Sequence, residues 1–82
     1  MFNIQWKEEA VKDLQKLERD LGSRIYKKIN SLKENFDSAD IKRLQGSDLF
    51  RLRVGDYRVI FEISKELITI LKIGHRKNIY KK

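Results

Sequence analysis

Apolar and polar residues alternate at the start of the chain. In the segment from Phe2 to Trp6, the apolar residues Phe2, Ile4 and Trp6 are separated by Asn3 and Gln5. A period of two residues is typical of a strand with one buried face. The pattern therefore predicts a short strand at the N-terminus.

Two segments with helical spacing follow this strand. Glu8 and Glu9 would lie in the first turn of the first helix, where acidic side chains interact favourably with the helix dipole. Gly22 and Ser23 then predict the end of this helix and the N-cap of the next. Apolar residues spaced three or four apart support both helices: Ala10, Leu14, Leu17 and Leu21, then Ile25, Ile29, Leu32 and Phe36. An αα-hairpin of this kind needs a third surface to cover its apolar stripes.

Three further strands are predicted after a polar loop from Asp37 to Asp48. Apolar residues alternate with polar ones over residues 50–63, and Gly55-Asp56 marks a tight turn within this segment. After a second turn at Lys65-Glu66, residues 67–73 form a nearly continuous apolar run, typical of a strand buried on both sides. The sequence therefore predicts an α+β fold of order β-α-α-β-β-β. Its helical hairpin would pack on one face of a mostly antiparallel four-stranded sheet.

The two faces of this sheet would carry different side chains. Val59 and Phe61 belong to the face that the helices cover. By the same alternation, the opposite face exposes Ile60 beside three basic residues: Arg51, Arg53 and Arg58. Neighbouring guanidinium groups repel each other unless an anion or a partner lies between them. This face is therefore expected to bind an anion.

Length and composition exclude several classes of protein. The 82 residues suffice for one core, so a single domain over residues 1–82 is expected. Without cysteine there is no disulfide framework or thiolate metal site, and a single histidine excludes most histidine-rich zinc sites. The uncharged runs are too short to span a bilayer, and the N-terminus lacks a signal-peptide pattern. We therefore expect a soluble, cytoplasmic protein without a metal or cofactor.

The net charge of +7 is concentrated in the second half of the chain. Residues 1–48 contain ten Lys and Arg against nine Asp and Glu, a balance of +1. Residues 49–82 contain nine against three, a balance of +6. A basic surface on a nearly neutral scaffold indicates a polyanion partner, although solubilising lysines also produce basic surfaces.

The basic segment contains the groups that cleavage of an RNA backbone requires. The 2′-hydroxyl attacks the adjacent phosphate, and a protein must align the attack, stabilise the added charge and move protons. Arginine is suited to binding the phosphate, and His75 is the one side chain of a type that exchanges protons near neutral pH. The candidate set is completed by further basic residues and a tyrosine that could stack on a base: Lys72, Arg76, Lys77 and Tyr80. The same residues are also compatible with binding an anion without cleaving it.

Two segments of the chain resemble a known family. LQGSDLFRLRVGDYRVIF followed by ILKIGHRKNIY resembles the RelE family of the RelE/ParE toxin superfamily, and KEEAVKDLQKL with RIYKKINSLKENF fits its helical hairpin. The resemblance implies a toxin of a type II toxin–antitoxin system. Such a toxin would be a ribosome-dependent endoribonuclease that cuts mRNA in the A site by attack of the 2′-hydroxyl.

The resemblance also implies a partner and leaves two alternatives open. A RelB-like acidic antitoxin would silence the toxin in a heterotetramer or a larger assembly. ParE-type members share the fold but inhibit DNA gyrase, so a gyrase inhibitor is one alternative. A non-catalytic anion-binding module of an antitoxin complex is the other.

The residues of the family's site can be placed on this chain. The resemblance implies catalytic roles for six residues and RNA binding for two: Arg51, Arg53, Arg58, His75, Arg76 and Tyr80, then Lys72 and Lys77. Well-studied members have lysines where this chain has Arg51 and Arg53. An arginine is a poor proton acceptor, because its guanidinium stays charged. His75 is therefore the expected proton-transfer group, and Lys72 and Lys77 are the other candidates.

Overall fold

The computed structural model describes residues 1–79. Within them, the helical segments lie between the first and second strands: α1 (Glu8–Gln15), α2 (Arg19–Asn30), α3 (Leu32–Asn35) and the 3-10 helix Phe36–Ser38. The strands are β1 (Asn3–Trp6), β2 (Ile41–Arg43), β3 (Leu49–Val54), β4 (Tyr57–Ser64) and β5 (Leu67–His75). No helix of these residues is long and apolar enough to cross a membrane.

The strands form one sheet in the order β1-β5-β4-β3-β2. β1 pairs with β5 in parallel, and the other pairings are antiparallel. The α+β class and the mostly antiparallel sheet are thus confirmed, but the predicted number of strands is one too low. The additional strand β2 lies in the segment 37–48 that the sequence predicts as a loop. Its three residues are too few for alternation to reveal a strand, and Ile41 pairs with Leu52 and packs against the core.

The break between the first two helices comes earlier than Gly22 and Ser23 predict. α1 ends at Gln15, and the carboxylate of Glu18 caps α2 by accepting the N–H groups of Asp20 (2.7 Å) and Leu21 (3.1 Å). Gly22 therefore lies inside α2, where its N–H donates to the carbonyl of Glu18. The apolar spacing runs through this break because residues on both sides pack on the same core.

The helices pack on one side of the sheet around a single apolar core. α1, α2 and α3 contribute buried residues, and the sheet contributes the rest: Ala10, Ile25, Ile29 and Leu32, then Leu52, Val54, Val59, Phe61, Ile68, Ile70 and Ile73. Phe61 stacks on Phe50 with ring centroids 5.6 Å apart and meets the edge of Phe36 at 6.4 Å. We call this side of the sheet the core face. The opposite side, which carries Arg51, Arg53 and Arg58, is the arginine face.

Substitution of Gly22 by alanine tests its place inside α2. A Cβ at this position would lie 3.6 Å from the carbonyl oxygen of Leu14, which is ordinary van der Waals contact. We expect Gly22→Ala to raise the free energy of unfolding by about 0.5–1 kcal/mol, because alanine loses less backbone entropy in a helix. Denaturant unfolding measures this change.

Gly46→Ala is the matched control. Gly46 has φ 75°, and a Cβ at this position would have no atom within 4 Å, so only the left-handed backbone disfavours alanine. Gly46→Ala should therefore lower the free energy of unfolding by about 1–2 kcal/mol. A destabilised Gly22→Ala variant would contradict the helical position of Gly22.

Candidate functional site

The strand register places the three predicted arginines together on the arginine face. Arg53 of β3 is paired with Arg58 of β4, which is paired in turn with Gly74 of β5. The neighbouring row of the same face runs from β2 to β5 through Lys42, Arg51, Ile60 and Lys72. Strands lie about 4.8 Å apart, so Arg51, Arg53 and Arg58 are neighbours on two adjacent strands, while Lys42 and Lys72 lie at the two ends of their row.

A carboxylate that the sequence analysis did not single out lies among these arginines. Asp40 precedes β2, and its carbonyl accepts the backbone N–H of Arg53 at 3.0 Å. Its Oδ1 lies 3.8 Å from Nη1 of Arg51, and its Oδ2 lies 3.9 Å from Nε of Arg53. These are ion pairs rather than hydrogen bonds. Asp40 thus offsets part of the repulsion between the two arginines, and no sequence signal marked it within a segment predicted as loop.

Arg51 is one of the less exposed of these cations. Its side chain is only 19% exposed, and its Nη1 is buried without a hydrogen-bond partner within residues 1–79. A buried donor without an acceptor is unfavourable, so the nearby charge of Asp40 is its main compensation. An additional anion on this face would improve the environment of Arg51.

A second group of cations surrounds the turn between β3 and β4. Arg58 donates from Nη1 to the carbonyls of Gly55 (2.8 Å) and Tyr57 (2.9 Å). The Nε of Arg76 lies 3.6 Å from Oδ1 of Asp56, and its N–H donates to the carbonyl of Asp56 at 2.8 Å. The φ of 59° at residue 55 favours glycine, and a Cβ there would lie 2.8 Å from Nη2, the flexible end of the Arg24 side chain. Arg24 of α2 therefore also reaches this turn.

His75 lies at the end of β5 and does not share the face of the arginines. It is paired with Tyr57, which lies on the core face because it alternates with Arg58 along β4, so His75 lies on the core face as well. The rings of Tyr57 and His75 meet edge to face with centroids 5.4 Å apart. The backbone N–H of Lys77 donates to Nδ1 of His75 at 3.1 Å. In the tautomer that this bond fits, Nε2 carries the hydrogen and is the donor that the ring can offer a ligand.

The segment after β5 folds back over the arginine face. The carbonyl of His75 accepts the N–H groups of Asn78 (2.8 Å) and Ile79 (2.9 Å). Ile79 is buried and lies on Gly74, where a Cβ would come within 2.9 Å of its Cδ1. Ile60 is also buried on this face, so the expectation of an exposed apolar residue beside the arginines is wrong. Alternation along the strand reports the face on which Ile60 lies but not its burial.

The remaining predicted residues are placed around the edge of this surface. Nζ of Lys72 lies 3.9 Å from the carboxylate of Glu9 in α1, and Lys77 is exposed. Tyr80 lies outside the described residues. Within residues 1–79, no group of three or more histidine or acidic side chains is arranged to hold a metal ion.

A carboxylate of α1 holds the part of β5 that leads into the site. β1 pairs with β5 only as far as Ile70, so the next backbone groups of β5 lack a strand on that side. Asp13 of α1 takes its place, because its Oδ2 accepts the N–H of Ile73 at 2.9 Å. This bond fixes the direction in which β5 reaches His75 and Arg76.

Comparison with known proteins identifies the family. Residues 4–80 match the family described as the ParE toxin of the type II toxin–antitoxin system, parDE. The chain belongs to this family. It is a toxin of a type II toxin–antitoxin system, and its predicted place in the RelE/ParE superfamily is confirmed.

RelE toxins are among the relatives of this toxin. It is 38% identical to Toxin RelE3 of Methanocaldococcus jannaschii over 52 residues, which are 62% of this chain and 59% of that protein. The match thus spans less than two thirds of the relative's length. The fold is similar to RelE in the RelB-RelE antitoxin-toxin complex from Methanococcus jannaschii, with a TM-score of 0.78, 29% identity and coverage of 93% of this chain and 94% of that chain. The archaeal RelE-RelB complex from Pyrococcus horikoshii OT3 gives a TM-score of 0.78, 29% identity and coverage of 94% and 97%.

The bond between Asp13 and β5 can be tested in this toxin by two substitutions. Asp13→Ala leaves the N–H of Ile73 without its acceptor and should lower the free energy of unfolding by about 1–3 kcal/mol. Asp13→Asn keeps an acceptor oxygen of the same reach and should retain most of the stability. Denaturant unfolding measures both changes, and faster amide hydrogen exchange at Ile73 in Asp13→Ala locates the effect. Equal stability of the two variants would contradict a structural role for this bond.

Proposed function

We propose that this toxin is a metal-independent endoribonuclease that cuts mRNA in the ribosomal A site and so inhibits translation. The observation that carries the proposal is the row in which Arg53 faces Arg58, with Arg51 in the neighbouring row. This arrangement directs three guanidinium groups to one surface, where they can bind the phosphate and the charge added during attack by the 2′-hydroxyl. The RelE names of the relatives support a toxin of this type, and the family resemblance implies the cleavage activity.

The other predicted residues take supporting roles in this reaction. Arg76 approaches the phosphate from the turn after β5, and Lys72 and Lys77 bind the flanking RNA backbone. His75 can donate a hydrogen bond from Nε2 at the end of β5, and its part in proton transfer rests on the family resemblance. Tyr80 orients or stacks on the RNA, a role that rests on the family resemblance.

Inhibition of DNA gyrase is the second candidate, because the matching family is described as ParE. Induced expression of the toxin separates the two activities when RNA ends and gyrase–DNA complexes are measured in the same cells. We expect new RNA ends inside reading frames that are being translated. Intact mRNA with trapped gyrase–DNA complexes would support the ParE-type activity instead.

Replacement of Arg58 by alanine tests the phosphate-binding role of the arginine face. Within residues 1–79 its side chain bonds only local carbonyls of the turn, so Arg58→Ala should change the unfolding free energy little. The cleavage rate should fall on the order of 10²-fold, as for other lost donors to a developing negative charge. Arg43→Ala is the matched control, since Arg43 pairs with Asp48 at the edge strand and lies off the arginine face. Full toxicity of Arg58→Ala would remove this arginine from the mechanism.

We also propose a RelB-like acidic antitoxin as the partner that silences the toxin. The arginine face is a concentrated positive surface, and both solved RelE structures described above contain RelB. An acidic segment that folds on binding would neutralise Arg51, Arg53 and Arg58.

Co-expression with the acidic product of a neighbouring reading frame tests the partner. We expect restored growth and a stable complex that purifies with both chains. The charge-reversed double variant Arg51→Glu/Arg53→Glu should weaken this complex much more than Arg43→Glu, because only the former changes the arginine face. A toxin that is harmless alone and copurifies with no acidic chain would contradict the proposal.

A further inference from the structure

The arginine face poses a problem for the first step of RNA cleavage, because the 2′-hydroxyl must lose a proton. Guanidinium groups cannot accept it. His75 is poorly placed to do so, since it alternates onto the core face and its Nδ1 already accepts the N–H of Lys77. The ammonium groups of Lys42 and Lys72 have no acceptor either, so a carboxylate of the arginine face is the remaining candidate for the base.

Asp40 is the carboxylate that lies in the same row as the central arginines. The carbonyl of Asp40 accepts the backbone N–H of Arg53, so the row of paired residues continues from β3 to the edge of the sheet beside β2. Across the sheet this row consists of Asp40, Arg53, Arg58 and Gly74. Its carboxylate is 57% exposed, so a ligand on this face can reach it. The other acidic residue of the face, Glu62, lies beyond Ile60 at the level of Leu49 and Thr69 and farther from Arg53.

The carboxylate of Asp40 lies close to two arginines but is too far from their nitrogens for a hydrogen bond. Its contacts with Arg51 and Arg53 are 3.8 and 3.9 Å long, which leaves its oxygen lone pairs available for a shorter bond. By contrast, Asp48 receives a 3.1 Å hydrogen bond from Arg43. The other cations near Asp40 are Lys42, on the same face of β2, and Lys28 of α2, which lines a shared groove of about 410 Å³.

We propose that Asp40 is the proton acceptor of the cleavage reaction, a role that rests on the proposed endoribonuclease function. A phosphate bound between Arg53 and Arg58 would bring the neighbouring 2′-hydroxyl to the edge strand, within reach of the carboxylate. The proton passes from the 2′-oxygen to Asp40 as the bond from this oxygen to phosphorus forms and the bond from phosphorus to the 5′-oxygen breaks. The 5′-oxygen takes a proton from solvent, and Asp40 later returns its proton to water.

The arrangement separates the two proton transfers in space. Asp40 and Gly74 are three strands apart, about 14 Å between backbones, and His75 follows Gly74. The attacking and leaving oxygens lie on opposite sides of phosphorus in an in-line displacement. Asp40 lies on the side of the attacking oxygen at the edge strand, so the leaving oxygen points toward the β5 end of the row, where solvent can supply its proton.

Single-turnover cleavage on ribosomes carrying a short mRNA with one cleavage site tests this assignment. The full toxin, Asp40→Asn, Asp40→Glu and the control Asp48→Asn are compared at saturating concentration. We expect Asp40→Asn to lower the maximal rate by on the order of 10²-fold or more, with little change in the toxin concentration that gives half-saturation. Asp40→Glu should recover part of the rate, and Asp48→Asn should match the wild type.

A substrate with sulfur in place of the bridging 5′-oxygen distinguishes a base from other roles. A thiolate leaves without a proton, whereas the attacking 2′-hydroxyl must still lose one, so this substrate should leave Asp40→Asn slow relative to the wild type. The assignment is overturned if Asp40→Asn cleaves within twofold of the wild type. It is also overturned if the sulfur substrate restores the rate of Asp40→Asn. A variant that changes only the toxin concentration for half-saturation would overturn it too, because a residue that merely positions the arginines predicts that result. A wild-type toxin that leaves this mRNA intact would instead refute the endoribonuclease function itself.

Discussion

The structure depends on the position of β5 between β1 and β4. This strand is buried through Ile68, Thr69 and Ile70 in succession, and it pairs with both neighbours over those residues. Since β1 comes from the start of the chain, the pairing closes the sheet around the helices and creates the core. Where β1 ends, Asp13 continues to support β5. The residues at the end of β5 therefore owe their position to contacts made by the first part of the chain.

Like-charge repulsion shapes the other side of the sheet. The cations of the arginine face are compensated locally, by Asp40 at the edge strand and by Asp56 and backbone carbonyls at the turn between β3 and β4. None of the contacts made by these two carboxylates with the arginine side chains is shorter than 3.6 Å. Weak internal ion pairs of this kind can be exchanged for contacts with a bound polyanion at modest cost. The face is thus stable in the free toxin and still able to bind.

Much of the fold could be predicted from sequence because the apolar positions of a long alternating segment show which side chains face the core. Residues 50–63 gave the arginine face in this way, and the unbroken run from Leu67 predicted a strand buried on both sides. The boundary at Gly22 was wrong because the decisive interaction is the Glu18 cap, which apolar spacing does not record. β2 was missed because its three residues depend on a partner strand rather than on a pattern of their own.

The site could be predicted only in part. Residue type and the family resemblance identified the cations, but the contact of Asp40 with two arginines requires a strand that sequence did not reveal. The orientation of His75 depends on the turn that brings the N–H of Lys77 to its ring. Such contacts between short irregular segments are set by three-dimensional packing, and alternation carries no information about them.

The contact between Gly74 and Ile79 can be broken by a single substitution at position 74. A side chain larger than a methyl group at position 74 would displace Ile79 from the arginine face, and with it the turn that carries Arg76 and Lys77. The core lies on the other side of the sheet and would be little affected. In a genetic selection for cells that survive the toxin, substitutions at position 74 are therefore expected, because they change the arginine face while the chain remains folded.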